Sequence, residues 1–196
     1  MGVRSTEQAR REARVRAAAQ ELFRTNGYSA TSMRQIAEAA GVSVGTVANC
    51  GDKPELLADL FGASEVAATL GRVAALEASG GQHSLSEEMD HIFASWFDTI
   101  EEHCGLVRDY VGSLLDGFGA EARAGMDVVV QEALGRRIIA HHPRVGLERA
   151  RALADTIFCT YCTYAIAVVM GIHDAEGGRA QARRLVAELF DAGTLG

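Results

Sequence analysis

The stretch TSMRQIAEAAGVSVGTVANC, residues 31–50, contains two short helical patterns separated by a tight turn. Ser32 and Gln35 have the spacing of a capping box at the start of the first pattern. Gly41 follows that pattern, and glycine readily adopts the left-handed conformation that ends a helix. Ser43 can then cap the second pattern. The stretch therefore predicts a helix, a tight turn and a second helix of about two turns.

Two helices joined by a glycine-containing turn are typical of the helix-turn-helix unit. The second helix can be short, because only about two turns need to lie in a DNA major groove that is about 12 Å wide. An amphipathic helix over about Thr6–Thr25 precedes the stretch. The pattern predicts a three-helix DNA-binding unit.

The rest of the chain also reads as helix, because proline is rare and alternating apolar and polar stretches are absent. We therefore predict an all-α fold, with an N-terminal three-helix helix-turn-helix domain at residues 1–53 and a C-terminal helical bundle at 54–196. The predicted bundle helices are 54–77, 84–103, 105–117, 120–141, 146–170 and 179–190.

The charge is unevenly distributed along the chain, whose formal net charge is −7. Residues 1–57 hold eight basic and six acidic side chains, whereas the remainder holds 11 basic and 20 acidic ones. A basic head on an acidic body suits a DNA-binding module joined to a second domain. A solvated helix face rich in arginine explains the charge equally well.

Other features of the sequence narrow the class of protein. The N-terminus lacks the apolar segment of a secretory signal, so we expect a cytoplasmic protein without a membrane partner. We find no nucleophile–base set, phosphate loop or paired catalytic carboxylates, so we expect no enzyme, catalytic residue, cofactor or metal site. Cys159 and Cys162 form a single CxxC pair, which we interpret as small core residues of a buried helix.

The N-terminal segment resembles the TetR family of bacterial transcription regulators over about residues 12–60. The residues that carry the resemblance are Ala18-Ala19, Leu22-Phe23, Gly27-Tyr28, Ala30-Thr31-Ser32, Ile36-Ala37, Ala40-Gly41-Val42-Ser43, Gly45-Thr46, Lys53 and Glu55-Leu56-Leu57. The resemblance implies that the chain binds a double-stranded DNA operator. The implied DNA contacts are Thr31, Ser32, Arg34, Ser43, Val44, Gly45, Thr46, Asn49 and Lys53, the last as a phosphate contact.

The end of the second helix departs from the family pattern. Ala48 and Cys50 stand where the family has aromatic residues, and a phenylalanine that precedes the loop to Lys53 is absent. Three interpretations remain open. The protein reads DNA with Asn49, Thr46 and backbone groups; its DNA affinity is low; or a phenylalanine between Cys50 and Gly51 is missing from the sequence.

The resemblance also implies that the second domain binds a small-molecule effector and forms a homodimer. We predict a dimer interface from residues 146–170 and 179–192. The candidate effector-binding residues mix aromatic, apolar and polar groups: Met89, Phe93, Trp96, Phe97, His103, Tyr110, Leu114, Phe118, Met126, Phe158 and Tyr161. Plain core packing is the alternative interpretation of this set.

The leading hypothesis is a transcriptional repressor that a small hydrophobic ligand releases from a palindromic operator. The alternative is a ligand-binding or interaction protein whose degenerate helix-turn-helix binds DNA weakly. The sequence names neither the operator nor the effector.

Overall fold

The computed structural model describes residues 3–79, 83–117 and 120–191, which form helices and turns with no strand among them. The helices are α1 (Val3–Asn26), α2 (Met33–Ala40), α3 (Val44–Ala48), α4 (Lys53–Ser79), α5 (Leu85–Leu115), α6 (Ala120–His141), α7 (Leu147–Val169) and α8 (Ala175–Asp191). The all-α prediction is confirmed.

Capping boxes begin three of these helices, as the sequence predicts. At the start of α2, the backbone N–H of Gln35 donates to the Ser32 hydroxyl at 3.3 Å, and the backbone N–H of Ser32 donates to the side-chain amide oxygen Oε1 of Gln35 at 2.8 Å. Each box satisfies N–H groups that have no partner within the helix. The same reciprocal bonds join Asp52 to Glu55 before α4, and Ser84 to Glu87 before α5.

Two helix limits differ markedly from the prediction, and α3 is short. The helices predicted at 84–103 and 105–117 are one helix, α5, in which His103 has a non-helical φ of −132° and ψ of 35°. The last helix begins at Ala175 rather than at about residue 179, because the Asp174 carboxylate accepts the Gly177 N–H at 2.7 Å. α3 ends at Ala48, and Asn49 forms its C-cap.

The chain divides into two compact units, of which the first contains Met1–Ser64 and Gly105–Arg123. Within it, α1 packs on α2 and α2 packs on α3. Phe23, Ile36, Val47 and Leu57 are almost completely buried there. The ring of Phe61 on α4 stacks on Tyr110 of α5, with centroids 5.2 Å apart.

The second unit contains Glu65–Cys104 and Ala124–Gly196. α4 and α5 each contribute residues to both units. The boundary that we predict between residues 53 and 54 separates the expected DNA-binding part from the expected effector-binding part. It stays a prediction. The core of the second unit includes fully buried side chains from α5, α6 and α7: Phe93, Leu134, Ile138, Ile157 and Tyr161.

α7 and α8 approach closely at Gly178 in this unit. A Cβ atom at that position would lie 2.4 Å from Cγ2 of Val168 and 3.4 Å from the carbonyl oxygen of Tyr164. Real Cβ atoms do not approach other atoms to 2.4 Å, so the contact requires glycine.

By length and composition alone, α7 could cross a membrane. Its residues Leu153, Ile157 and Tyr161 are buried inside the unit. A single helix of this kind is weak evidence for a membrane protein, because a soluble protein's core helix passes the same test. Cys159 on α7 is exposed, so its interpretation as a core residue is wrong.

Candidate nucleic-acid interface and effector-binding core

The turn between α2 and α3 has the geometry that the sequence predicts. Gly41 has φ 63° and ψ 42°, which is left-handed backbone. Its N–H donates to the carbonyl of Glu38 at 3.1 Å, and the N–H of Val42 donates to that of Ala37 at 3.0 Å. These bonds satisfy carbonyls at the end of α2 and reverse the chain sharply. Only three residues, 41–43, therefore separate α3 from α2.

α3 has a buried side and an exposed side. Val47 is completely buried, whereas Val44 is 47% exposed. Ser43 caps the helix by accepting the N–H of Thr46 at 3.2 Å. Ser43, Gly45 and Asn49 are exposed, and Thr46 is partly exposed. The predicted contacts on α3 therefore lie at a solvent-accessible surface.

The predicted contacts at the start of α2 are placed differently from one another. Thr31 is 2% exposed, and its hydroxyl donates to the carbonyls of Leu22 and Gly27 at 3.1 and 2.8 Å. Ser32 and Arg34 are exposed. In this structure the Thr31 side chain ties the turn before α2 to the end of α1. Its role at DNA stays a prediction, as do those of Ser32 and Arg34.

A groove of about 440 Å³ runs between the start of α1 and α3. Cys50 lines this groove, and its thiol donates to the Thr46 carbonyl at 3.3 Å. Burial, followed by the charge of Glu12, raises the pKa of Cys50, so the neutral thiol is favoured. The groove is lined by Glu7, Gln8, Arg11, Glu12, Thr46, Asn49 and Cys50.

Two arginines of α1, Arg14 and Arg16, have hydrogen-bond partners inside the first unit. The Arg14 guanidinium donates to the carbonyl oxygens of Ala40 and Gly41, at the end of α2. The Arg16 side chain donates to Asp59 of α4 at 2.9 Å, and this bond raises the pKa of Arg16. Sequence reasoning gave neither role, because each pair is separated by at least 26 positions.

Lys53 is the first residue of α4, and its side chain is partly exposed. Its Nζ atom lies 4.1 Å from the centroid of the Tyr28 ring, a cation–π geometry. Tyr28 was part of the sequence resemblance, but nothing in the pattern indicated this contact.

The second unit brings five of the predicted effector-binding residues into one aromatic cluster. The ring of Phe93 stacks on Tyr161 with centroids 4.3 Å apart, and Trp96 meets it edge-on at 4.9 Å. The Trp96 indole donates to the buried hydroxyl of Thr69 at 3.1 Å. The cluster residues are Phe93, Trp96, Phe97, Phe158 and Tyr161, all buried except Trp96, which is partly exposed. Met89, four positions before Phe93 on α5, is also completely buried.

Of the other predicted effector-binding residues, the structure describes the side chains of His103, Tyr110 and Leu114. Tyr110 and Leu114 belong to the first unit. His103 occupies the non-helical position of α5. Phe118 and the side chain of Met126 lie outside the described residues.

The Tyr161 hydroxyl is buried and has no hydrogen-bond partner among the described residues. Burial, followed by the charge of Asp90, raises the pKa of Tyr161, so the phenol is neutral. A buried hydroxyl without a partner is costly and rare in proteins. It offers the cluster a polar group that no described residue uses.

A buried ion pair that sequence reasoning missed joins α5 to α6. The carboxylate of Glu88 is fully buried and accepts the Arg137 guanidinium N–H groups at 2.7–2.9 Å. The His141 ring nitrogen lies 3.0 Å from the same carboxylate. Burial raises the pKa of Glu88, but the bonds from Arg137 and His141 outweigh it and leave the pKa below the ordinary value.

This pair predicts a loss of stability in acid. The folded protein holds the Glu88 proton more weakly than the unfolded chain does, so the unfolded chain binds more protons below pH 4.5, the ordinary glutamate value. We expect the free energy of unfolding to fall as the pH drops through this range. Urea unfolding at several pH values should show a shallower fall for Glu88→Gln, and equal slopes would contradict the assignment.

Comparisons with known proteins agree with this geometry. Residues 15–48 match the family model described as bacterial regulatory proteins, tetR family. Among curated protein sequences, no match was found. The structure of Thermus thermophilus FadR, a TetR-family transcriptional repressor in complex with lauroyl-CoA, is 25% identical with a TM-score of 0.68. That match covers 90% of this chain and 93% of FadR.

Two further solved structures share the fold at lower identity. The multidrug binding protein EbrR, complexed with imidazole, is 21% identical with a TM-score of 0.55, over 89% of this chain and 94% of EbrR. A tetR-family regulator from Streptomyces coelicolor is 19% identical with a TM-score of 0.57, over 99% of this chain and 86% of that one. Residues 15–48 thus match the helix-turn-helix segment of the tetR family, and over 90% of its length the chain is similar to FadR, a TetR-family transcriptional repressor.

Proposed function

We propose that the protein is a homodimeric repressor that binds a palindromic operator and is released from it by a small hydrophobic effector. The observation that carries the proposal is the capped α3, which exposes Ser43, Val44, Gly45 and Asn49 beyond a glycine turn. In helix-turn-helix proteins, residues at this position contact base edges. The proposal includes a cytoplasmic location and no enzymatic activity.

Asn49 is the proposed base-reading residue, with Thr46 beside it. An asparagine amide can bond N6 and N7 of adenine together, which discriminates against other bases by about 1–3 kcal/mol. We therefore expect Asn49→Ala to relax the selected sequence at one base pair in each half-site while non-specific binding persists. Ala48→Tyr, which restores an aromatic residue, should strengthen binding to most sequences.

Binding-site selection from random DNA tests these expectations. The matched control is Asn26→Ala, because Asn26 is also an exposed asparagine but stands at the end of α1. It should select the wild-type motif. If Asn49→Ala selects the same motif as the wild type, Asn49 is only a surface residue and reads no base. A wild type that selects no motif would favour the second candidate function.

That second candidate is a ligand-binding protein that has lost most of its DNA affinity. It is favoured by the brevity of α3, which spans five residues, and by the small side chains of Ala48 and Cys50. Under this hypothesis the protein would bind an effector without selecting any DNA sequence.

The aromatic cluster supports a hydrophobic effector. Apolar and aromatic walls with a few polar groups are typical of ligand sites, and the buried Tyr161 hydroxyl supplies one such group. FadR was solved with lauroyl-CoA, whose acyl chain is long and apolar. We propose an effector with an apolar chain or ring that contacts Phe93 and Tyr161. Because α4 contributes residues to both units, it would transmit effector binding to the helix-turn-helix domain formed by α1, α2 and α3.

Exposed apolar side chains on and beside α7 and α8 support the proposed dimer. Ile166, Met170, Ile172 and Leu185 are between 39% and 68% exposed. A single short recognition helix also reads too few bases alone. We expect a dimer at micromolar concentration by sedimentation, and a shift toward monomer for Ile166→Asp. Val129→Asp on α6, at a similarly exposed apolar residue, is the control. A monomeric wild type would contradict the proposal.

A further inference from the structure

The contact between Lys53 and Tyr28 lies within the first unit and joins α4 to the turn between α1 and α2. The Tyr28 ring also packs against Phe23, with centroids 5.4 Å apart. Phe23 is 1% exposed, so it belongs to the core of the helix-turn-helix domain. The Tyr28 ring therefore packs on the core of the helix-turn-helix domain and also contacts the ammonium group of Lys53.

The backbone that carries Lys53 is fixed by local contacts. The Asp52 carboxylate accepts the Glu55 N–H at 2.9 Å, and Glu55 accepts the Asp52 N–H at 2.8 Å. Gly51 has φ 131°, and a Cβ there would lie 2.9 Å from the Glu55 carboxylate. With the start of α4 fixed, the remaining freedom of Lys53 is that of its own four-carbon chain. Ordering a free lysine side chain costs much conformational entropy.

We propose that Tyr28 is a positioning residue for DNA binding: its ring face holds the Lys53 ammonium group in a restricted set of orientations, ready to meet a DNA phosphate. This inference rests on the proposed DNA-binding function. A side chain that is already restricted loses less entropy when it binds. The ring thereby lowers the cost of the phosphate contact without touching DNA itself.

An aromatic ring suits this task better than a carboxylate does. A carboxylate beside Lys53 would cancel its charge and repel the phosphate, whereas a neutral ring leaves the full positive charge available. Burial, followed by the charges of Asp52 and Asp109, raises the pKa of Tyr28, so the phenol is uncharged at neutral pH. The ring attracts the ammonium group through its quadrupole, and this attraction needs no hydroxyl group.

The test compares Tyr28→Leu, Tyr28→Phe, Lys53→Met and the double variant Tyr28→Leu/Lys53→Met in the full chain. The probe is a fluorescein-labelled DNA duplex of mixed sequence, because phosphate contacts do not depend on sequence. Anisotropy titrations at several salt concentrations give the affinity and its salt slope. Tyr28→Phe is the matched control, since it keeps the ring and removes only the hydroxyl.

We expect Tyr28→Leu to weaken binding about two- to fivefold for each Lys53 that contacts DNA, with an unchanged salt slope. Tyr28→Phe should bind as the wild type does. Lys53→Met should reduce the salt slope by about 0.9 per lost phosphate contact. In the Lys53→Met background, Tyr28→Leu should cause no further loss.

Other results would overturn the inference. If Tyr28→Leu weakens binding equally with and without Lys53, or if Tyr28→Phe loses as much as Tyr28→Leu, Tyr28 does not act through its ring on Lys53. If the wild type binds and Lys53→Met changes nothing, Lys53 contacts no phosphate. If the wild type itself fails to bind the duplex, the proposed function falls first.

A measurement on the wild type covers the case in which Tyr28→Leu does not fold. The ring should shift the Lys53 ε-methylene proton resonances upfield, in the free protein and in the complex with the duplex. Resonances at the position of an unstructured lysine in both states would overturn the inference.

Discussion

Arg137→Leu is expected to lower the free energy of unfolding by about 3–5 kcal/mol, because it leaves the Glu88 carboxylate buried without its main partner. Glu88 is fully buried and Arg137 is 8% exposed, so water cannot replace the lost hydrogen bonds. The remaining neighbour, His141, can offer at most one bond from its near ring nitrogen. Urea unfolding at neutral pH measures the loss.

The neighbouring Arg136 supplies a matched control. Its side chain is 62% exposed and lies 3.9 Å from Glu77, an exposed pair of the kind that contributes about 0–1 kcal/mol. Arg136→Leu should therefore change the stability little. Glu88→Leu combined with Arg137→Leu should regain much of the loss, since no buried charge remains unpaired. A loss below about 1 kcal/mol for Arg137→Leu alone would mean that the carboxylate finds water or another partner.

Phe93→Ala is expected to destabilise the protein by about 3–5 kcal/mol through the cavity that it leaves. Phe93 is completely buried, and three other rings surround it: Tyr161 at 4.3 Å, Trp96 at 4.9 Å and Phe158 at 6.3 Å between centroids. Stacked and edge-on pairs of this kind add to the free energy of burial. Thermal and urea unfolding should both report the change.

The control for this variant is Val129→Ala on α6. Val129 is 45% exposed, so its truncation leaves no cavity and should cost little. A cost for Phe93→Ala as small as that for Val129→Ala would show that the cluster is loosely packed or filled by solvent. That outcome would favour an open effector site over closed core packing.

The sequence predicts the helix-turn-helix domain better than the rest of the structure, because the residues that begin and end its helices act locally. Ser32 with Gln35, and Gly41 with the residues before it, act over three to five positions along the chain. Capping and left-handed glycine need no distant partner. The all-α fold followed from the same local patterns.

The sequence was misleading where tertiary contacts override local preference. Gly105 lowers helix propensity, yet α5 continues through it, and the irregular residue is His103. The last helix was predicted to begin only at about residue 179, after Gly177 and Gly178. The structure starts it at Ala175, with the Asp174 side chain bonded to the Gly177 N–H.

The candidate sites were predictable only in part. Helical spacing placed Phe93, Trp96 and Phe97 on one helix, and the structure assembles them with residues of α7. Spacing could not indicate that Glu88 meets Arg137, since 49 positions separate them. Nor could the sequence predict the contact of Lys53 with Tyr28. That contact depends on how the chain folds to bring the start of α4 against the turn between α1 and α2.

The glycine between α7 and α8 has a consequence for how this sequence can change during evolution. At position 178 any side chain would collide with Val168, so Gly178→Ala alone should be strongly selected against. Val168→Ala removes the colliding methyl group and would act as a permissive substitution. The two positions should therefore show epistasis, and the mutational path should run through position 168 before position 178. A pairwise mutational library at the two positions would reveal that order directly.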